Sequence, residues 1–203
     1  MSVATPRLPY TYADYCTLPE DTARRYELLQ GELIRVPAPT IRHPRVSRNL
    51  EYIFHHHLHT RGTGEVFYSP VDWVLGQGAA REVAQPDLVG VSHTRRDIIQ
   101  TAGIEGAPDL VVEILSPGTG TCDRGYKLTL YARYGVTEYW IVDSDLQTVE
   151  VVTLATQGYA CTARYGACDS MYCVAFSGSD DSAGRGVWWD MSAGATVGIF
   201  DER

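Results

Sequence analysis

The spacing of apolar residues predicts one long amphipathic helix in the first third of the chain. Over residues 43–61 apolar side chains recur every three or four positions, which places them on one helical face. Pro44 suits the first turn of a helix, and Gly62 suits its C-terminal stop. The face expected to be buried carries Val46, Leu50, Ile53, Phe54, His57 and Leu58.

Shorter apolar runs predict β-strands around this helix. Residues 26–36 are typical of two strands that turn at Gln30-Gly31. Residues 11–24 are typical of short helical segments, the first of which Thr11 could cap together with Asp14 three positions later. A second helix is expected over residues 124–134, with Asp123 before it and Gly135 after it. Further strands are expected at 65–75, 82–91, 109–115, 138–142 and 148–154.

This order of elements predicts an α/β fold, that is, a mixed α+β core with a central mixed sheet flanked by helices. The chain has 203 residues, which suits one domain over 1–203. From about residue 166 the sequence becomes rich in Gly, Ser, Ala, Asp and Cys and loses its periodicity, so we treat 166–203 as a divergent tail.

Composition narrows the classes of function. No run of about 18 apolar residues suggests a membrane span, and the N-terminus lacks a secretory signal. Five cysteines without a CxxC pair argue against a disulfide framework and for a reducing cytoplasm. The net charge of −8 argues against general affinity for nucleic acid, so phosphate binding would need arginines concentrated locally.

Two carboxylates within apolar strands are the strongest chemical signal. Asp87 and Glu113 each interrupt a Val- and Leu-rich run, and a buried unpaired carboxylate costs several kcal/mol. Two such groups on adjacent strands predict an oxygen-ligand site for a hard cation such as Mg²⁺. The alternative for either residue is a structural ion pair.

The chain contains sixteen arginines but a single lysine, Lys127, which makes this lysine a candidate for a specific role. Lys127 lies near the start of the second predicted helix, on a face with Tyr131 and Tyr134. An ammonium is a compact charge, whereas a guanidinium is a broad planar fork. The alternatives are a solvated amine for Lys127 and a helix N-cap for Asp123, the latter being favoured.

Histidines and arginines give weaker signals. His55 and His59 are spaced i, i+4 on the long helix, but no third metal ligand accompanies them at a suitable spacing. His43 at the helix start fits capping better than an edge position in an active site. Candidates for phosphate contact, each also explained as a solvated charge, are Arg42, Arg45, Arg48, Arg95, Arg96 and Arg124.

Several segments together resemble the Uma-two family of putative restriction endonucleases, which belongs to the PD-(D/E)xK nuclease superfamily. The resemblance spans about residues 11–165, and its motifs in this order are specific, although each alone is weak. The matching segments are RYELLQGEL (25–33), HPRV (43–46), QPDLVGV (85–91), GAPDLVVEILSP (106–117), Asp123, Lys127, YARYGV (131–136) and EYWIVD (138–143).

The resemblance implies a restriction-endonuclease-like fold with Asp87 and Glu113 as the site acids. The lysine expected two positions after the second acid is replaced by Leu115, so the basic role is assigned to Lys127. Asp87, Glu113 and the Ile114 carbonyl would then hold Mg²⁺ or Mn²⁺, and the substrate would be DNA, cut by a homodimer. Supporting residues would be Glu27, Glu32, Asp123 and His43. The competing hypothesis is a catalytically silent nuclease fold that serves as a binding or assembly module.

Overall fold

The computed structural model describes residues 8–19, 25–116, 118, 120–167, 169, 171–176 and 187–189. Its helices are α1 (Tyr12–Cys16), α2 (Arg42–Arg61), α3 (Gly120–Cys122) and α4 (Leu128–Arg133), with a π-helical turn (Asp123–Lys127) joining α3 to α4. Short 3₁₀ turns lie at Gly78–Ala80 and His93–Ile98. The strands are β1 (Arg25–Leu29), β2 (Glu32–Val36), β3 (Gly64–Tyr68), β4 (Trp73–Leu75), β5 (Glu82–Ala84), β6 (Leu88–Ser92), β7 (Ile99–Gln100), β8 (Gly103–Glu105), β9 (Leu110–Ile114), β10 (Glu138–Asp143), β11 (Thr148–Ala155), β12 (Gly158–Tyr165), β13 (Met171–Cys173) and β14 (Val187–Trp189).

Two six-stranded sheets form the body of the described chain. The central sheet has the order β12-β11-β10-β9-β6-β3, and the second sheet has the order β2-β1-β5-β4-β8-β7. In the central sheet β9 and β10 are parallel, whereas β6 is antiparallel to β9. The predicted mixed α+β class is therefore confirmed, with twelve strands of the described chain divided between two mixed sheets and β13 paired with β14 in a third, antiparallel sheet.

Local sequence signals explain the best-predicted elements. The Thr11 side chain and the Asp14 side chain cap α1 reciprocally, as the capping-box pattern predicts. Gln30 and Gly31 both have positive φ, which the tight turn between β1 and β2 requires. Gly62 ends α2 in the left-handed conformation. Of the predicted helical stretch 11–24, residues 20–24 lie outside the described residues.

Two predicted strands are wrong as continuous elements. The run 65–75 divides into β3 and β4, and the run 82–91 divides into β5 and β6. Each division falls at a proline, Pro70 or Pro86, which has no N–H to give to a sheet. In both cases the two halves belong to different sheets, so the chain crosses between sheets at these points.

The helical segment after β9 also differs from the prediction. It begins at Gly120, so Asp123 lies within a helical run, buried, and its predicted role as an N-cap is wrong. The π turn Asp123–Lys127 widens the helix by one residue. The Tyr139 hydroxyl donates a hydrogen bond to the Asp123 carbonyl oxygen at 3.1 Å, which satisfies a backbone group inside this irregular turn.

The core lies on both faces of the central sheet. One face packs against the apolar side of α2, through β9 residues Leu110, Val112 and Ile114. The other face packs against the second sheet and α4, and Val111 belongs to that cluster. Because strand residues alternate, Glu113 follows Val111 onto the side of the second sheet. β9 is thus covered on both faces, as its apolar neighbours predict.

Part of the predicted tail, residues 171–176, is packed into this core. Met171, Cys173 and Phe176 are buried in the cluster beneath α2. The buried carboxylate of Glu138 accepts hydrogen bonds from the backbone N–H groups of Val174 (2.7 Å) and Ala175 (3.0 Å). Residues 171–176 therefore complete the hydrophobic core at this edge. The apolar pair Ile199-Phe200, singled out in the sequence, lies outside the described residues.

Candidate active site

The pairing of β6 with β9 brings the two predicted acids together. Leu88 pairs with Val112, so the residue before β6, Asp87, comes to lie beside the end of β9. Asp87 Oδ2 accepts a hydrogen bond from the Ile114 backbone N–H at 2.8 Å. Glu113, one position earlier on β9, is 5% exposed and lines the same cavity. Sequence order on two neighbouring strands thus becomes a pair of adjacent carboxylates.

Lys127 reaches this acid pair from the π turn. Its ammonium nitrogen Nζ lies 2.8 Å from Glu113 Oε1, 3.0 Å from Glu27 Oε1 and 3.4 Å from Asp123 Oδ1. The side chain is 5% exposed, which excludes the solvated amine. Lysine has three donor protons, so these three carboxylates match its donor capacity. The structure thus places the single lysine of the chain directly beside Glu113.

Hydrogen bonds from the surrounding elements hold the acids in place. Glu27 Oε1 on β1 accepts from the Gln85 backbone N–H at 2.9 Å. His43, in the first turn of α2, places its Nε2 within hydrogen-bond distance of Asp87 Oδ2, at 3.0 Å. Tyr131 on α4 donates its hydroxyl to Glu113 Oε1 at 2.6 Å.

The concentration of acids shifts the proton affinities of the site. Burial raises the pKa of Glu113 well above its ordinary value; Lys127 opposes this shift, and the neighbouring Asp123, Asp87 and Glu27 reinforce it. Burial alone would lower the pKa of Lys127, but the charges of Glu113, Glu27 and Asp123 outweigh burial and raise it. The lysine is therefore charged, and the cluster carries more acidic than basic groups. Such a site attracts cations.

A cavity of about 100 Å³ opens onto these groups, and its lining adds residues that sequence analysis did not single out. Arg25 and Arg35 from the β1–β2 hairpin line it, and Arg25 also donates to the Ser69 hydroxyl. Arg25 lies two positions before Glu27, so both side chains lie on the same side of β1. This i, i+2 spacing is the sequence signal that could have placed Arg25 near the cavity. Both arginines bring positive charge to an acidic cavity.

Most of the predicted site residues converge, and a few do not. The cavity is lined by Glu27, His43, Asp87, Glu113, Ile114, Asp123 and Lys127. Glu32 is exposed on β2 and is not among the lining residues. Three of the arginines considered for phosphate contact form ion pairs instead: Arg42 with Asp145, Arg95 with Asp109, and Arg124 with Glu150.

The donor set fits a hard cation in its chemistry. Both bonds to Asp87 use Oδ2, and both hydrogen bonds to Glu113 use Oε1, so Oδ1 and Oε2 accept none from the described residues. Two carboxylates are a usual protein contribution to an Mg²⁺ site, where water and phosphate supply other ligands. No cluster of three or more His, Cys, Asp or Glu side chains among the described residues is arranged to hold a metal ion. A site here would rest on the two acids and a backbone carbonyl.

Comparison with solved structures defines the class of fold. The chain is similar to the crystal structure of a putative nuclease belonging to DUF820 from Anabaena variabilis, with a TM-score of 0.67 and 21% identity. The similarity covers 83% of this chain and 91% of that one. The chain accordingly has the same fold as that protein. None of the helices in the described ranges has both the length and the apolar character needed to cross a membrane.

Comparison of sequences gives the family. Residues 12–168 match Uma2, described as a putative restriction endonuclease. The chain belongs to the Uma2 family. It is also 25% identical over 151 residues to an uncharacterized protein of Synechocystis sp., an alignment that covers 74% of this chain and 83% of the relative. The resemblance drawn from the motifs is confirmed, and it supports a nuclease activity in general.

Proposed function

We propose that this protein is a metal-dependent endonuclease that hydrolyses phosphodiester bonds in DNA. The observation that carries the proposal is the convergence of Asp87, Glu113 and Lys127 in one cavity. The three residues come from two strands and a helical turn, and Lys127 Nζ lies 2.8 Å from Glu113 Oε1. A purely structural role would leave this costly group of buried charges without a chemical use.

Asp87 and Glu113 would hold Mg²⁺ or Mn²⁺, with the Ile114 carbonyl as a further ligand. When bound, the metal supplies a Lewis acid that lowers the pKa of a coordinated water and neutralises charge on the phosphate. His43 and the Ile114 N–H hold Asp87 in position. Tyr131 and Lys127 both bind Oε1 of Glu113, which leaves Oε2 for the cavity.

Lys127 is the residue proposed to act on the reacting phosphate. Lys127 is hydrogen-bonded to Glu113 and ion-paired with Glu27 and Asp123, so it approaches a water or a phosphate oxygen by giving up one of these contacts. The contact with Asp123 is the longest, at 3.4 Å, and is the one proposed to be exchanged. The ammonium would then orient the attacking water or stabilise negative charge in the transition state. Arg25 and Arg35 lie where the flanking phosphates would approach.

Plasmid cleavage together with Mn²⁺ calorimetry tests the proposal. We expect wild-type protein to nick plasmid DNA only when Mg²⁺ or Mn²⁺ is added. Glu113→Gln removes a ligand charge and is expected to abolish cleavage and to weaken Mn²⁺ binding by about tenfold or more. Glu32→Gln is the matched control, because Glu32 lies on the adjacent strand outside the cavity, and it is expected to behave as wild type.

The silent binding or assembly module is the alternative that this experiment separates. Absence of Mn²⁺ binding at millimolar concentration, or equal binding by wild type and Glu113→Gln, would contradict the endonuclease proposal. Homodimerisation stays a prediction that the need to cut two strands supports, and sedimentation at several protein concentrations measures it directly.

A further inference from the structure

Two histidines stack at the far end of α2 from the candidate active site. The rings of His55 and His59 are parallel, with an interplanar angle of 6° and 5.7 Å between their centroids. Both side chains are exposed, and they share one helix face because they are spaced i, i+4. Helical rise places His59 about 24 Å along the axis from His43. This pair is therefore separate from the site at Asp87 and Glu113.

The chain brings a third histidine to this pair. β3 pairs with β6 so that Gly64 faces Ser92, and His93 follows directly. The His93 backbone N–H donates to the Thr63 carbonyl at 3.0 Å, which fixes this segment beside the end of α2. His55, His59 and His93 line one cavity of about 380 Å³, and Glu65 lies on its wall. Sequence spacing could not reveal this because His93 lies in a different element.

We propose that His55, His59 and His93 form a binding site for a divalent transition metal. Neutral imidazole nitrogen is a preferred ligand of Ni²⁺, Cu²⁺ and Zn²⁺, unlike the oxygen donors of the other site. The present side-chain orientations hold no group of three metal ligands among the described residues. Coordination therefore requires rotation about the side-chain torsions, which exposed histidines undergo rapidly. Glu65 is placed to complete the ligand set or to orient a ring.

Titration calorimetry with Ni²⁺ alone, in buffer containing excess Mg²⁺ to occupy carboxylate sites, measures this binding. We expect one equivalent of Ni²⁺ to bind the wild-type protein. His55→Ala, His59→Ala and His93→Ala are each expected to weaken binding by at least about tenfold, since even outer-shell partners of a ligand contribute that much. His56→Ala is the matched control: His56 is also exposed on α2 but stacks on Tyr52 and does not line the cavity. It is expected to bind as wild type.

The other outcomes overturn the proposal. Equal weakening by His56→Ala would show nonspecific binding to surface histidines. Unchanged binding in His93→Ala would exclude the three-residue site. Loss of Ni²⁺ binding in Glu113→Gln would assign the ion to the acidic cavity instead. Because the proposal does not depend on endonuclease activity, failure to cleave DNA leaves this measurement intact, and failure to bind Ni²⁺ leaves the proposed function intact.

Discussion

The contact between Phe176 and Gly90 gives a quantitative test of whether the segment after residue 170 belongs to the core. Phe176 is 6% exposed, and its Cζ would lie 2.7 Å from a Cβ added at Gly90 on β6. Truncation of a buried phenylalanine to alanine typically costs 3–5 kcal/mol. We therefore expect Phe176→Ala to lower the free energy of unfolding by about 3 kcal/mol or more.

A double-mutant cycle sharpens this test. Gly90→Ala should cost about 1–3 kcal/mol, because real Cβ contacts do not occur at 2.7 Å and the ring must move. In the Phe176→Ala background the ring is absent, so Gly90→Ala should cost less, limited by Leu110 Cβ at 3.2 Å. The expected coupling free energy is about 0.5–3 kcal/mol, with the double mutant more stable than additivity predicts.

Urea unfolding followed by tryptophan fluorescence measures the four free energies. Val174→Ala is the control, since Val174 is two residues away but 39% exposed, and it should change stability by about 0.5 kcal/mol or less. A Phe176→Ala effect below about 1 kcal/mol, equal to that of Val174→Ala, would refute the placement of this segment in the core.

Three further predictions concern buried polar groups. Tyr131→Phe keeps the ring but removes the hydroxyl that binds Glu113, so we expect weaker Mn²⁺ binding. Tyr139→Phe is the control, because the Tyr139 hydroxyl binds a backbone carbonyl, and this variant should bind Mn²⁺ as wild type does; equal effects of the two variants would contradict a positioning role for Tyr131. Lys127→Arg should lose cleavage as Lys127→Ala does, because the buried site fits a compact ammonium; unchanged cleavage in both variants would remove this residue from the mechanism. Burial raises the pKa of Glu138 despite its hydrogen bonds, so its contribution to stability is present below about pH 4 and is lost as pH rises through the higher folded-state pKa. The difference in free energy of unfolding between wild type and Glu138→Gln should therefore shrink as pH rises over that range. A constant difference would contradict the shift.

The parts of the fold that sequence predicts well are those with a strong local signal. The helix α2 repeats its apolar positions over five turns and ends at a glycine, so the apolar spacing and the C-terminal stop signal predict the same helix. β9 is an apolar run interrupted only by Glu113, which predicted a buried strand and drew attention to a carboxylate that lines the cavity. Asp87 and Glu113 could be paired in advance because each interrupts an apolar run, although the structure places Asp87 just before β6 and not within a strand.

The parts that sequence missed depend on long-range packing. The local sequence of residues 65–75 and 82–91 does not indicate that the two halves of each run join different sheets. The proline predicts a break, but the sheet that each half joins depends on pairing with strands distant in sequence. β12 escaped prediction because most of its residues are small or polar and no apolar alternation marks it, since it is an edge strand that is largely exposed. Arg25 could not be connected to Asp87 because only the pairing of β1 with β5 brings the hairpin to the cavity.

Because of the π turn between α3 and α4, side chains before and after the turn do not follow one continuous α-helical spacing around the helix axis. Residues after the turn are rotated relative to a continuous α-helix. Lys127, the last residue of the turn, and Tyr131, four positions further on, share one helix face, and both contact Glu113. Tyr134 instead lies beside Gly76, where its hydroxyl oxygen would be 2.8 Å from an added Cβ. In such a segment a one-residue insertion or deletion acts as a rotation of about 100° on everything that follows. A one-residue change in length within this segment would consequently move Lys127 away from Glu113, whereas a substitution at a solvent-facing position would leave that contact in place.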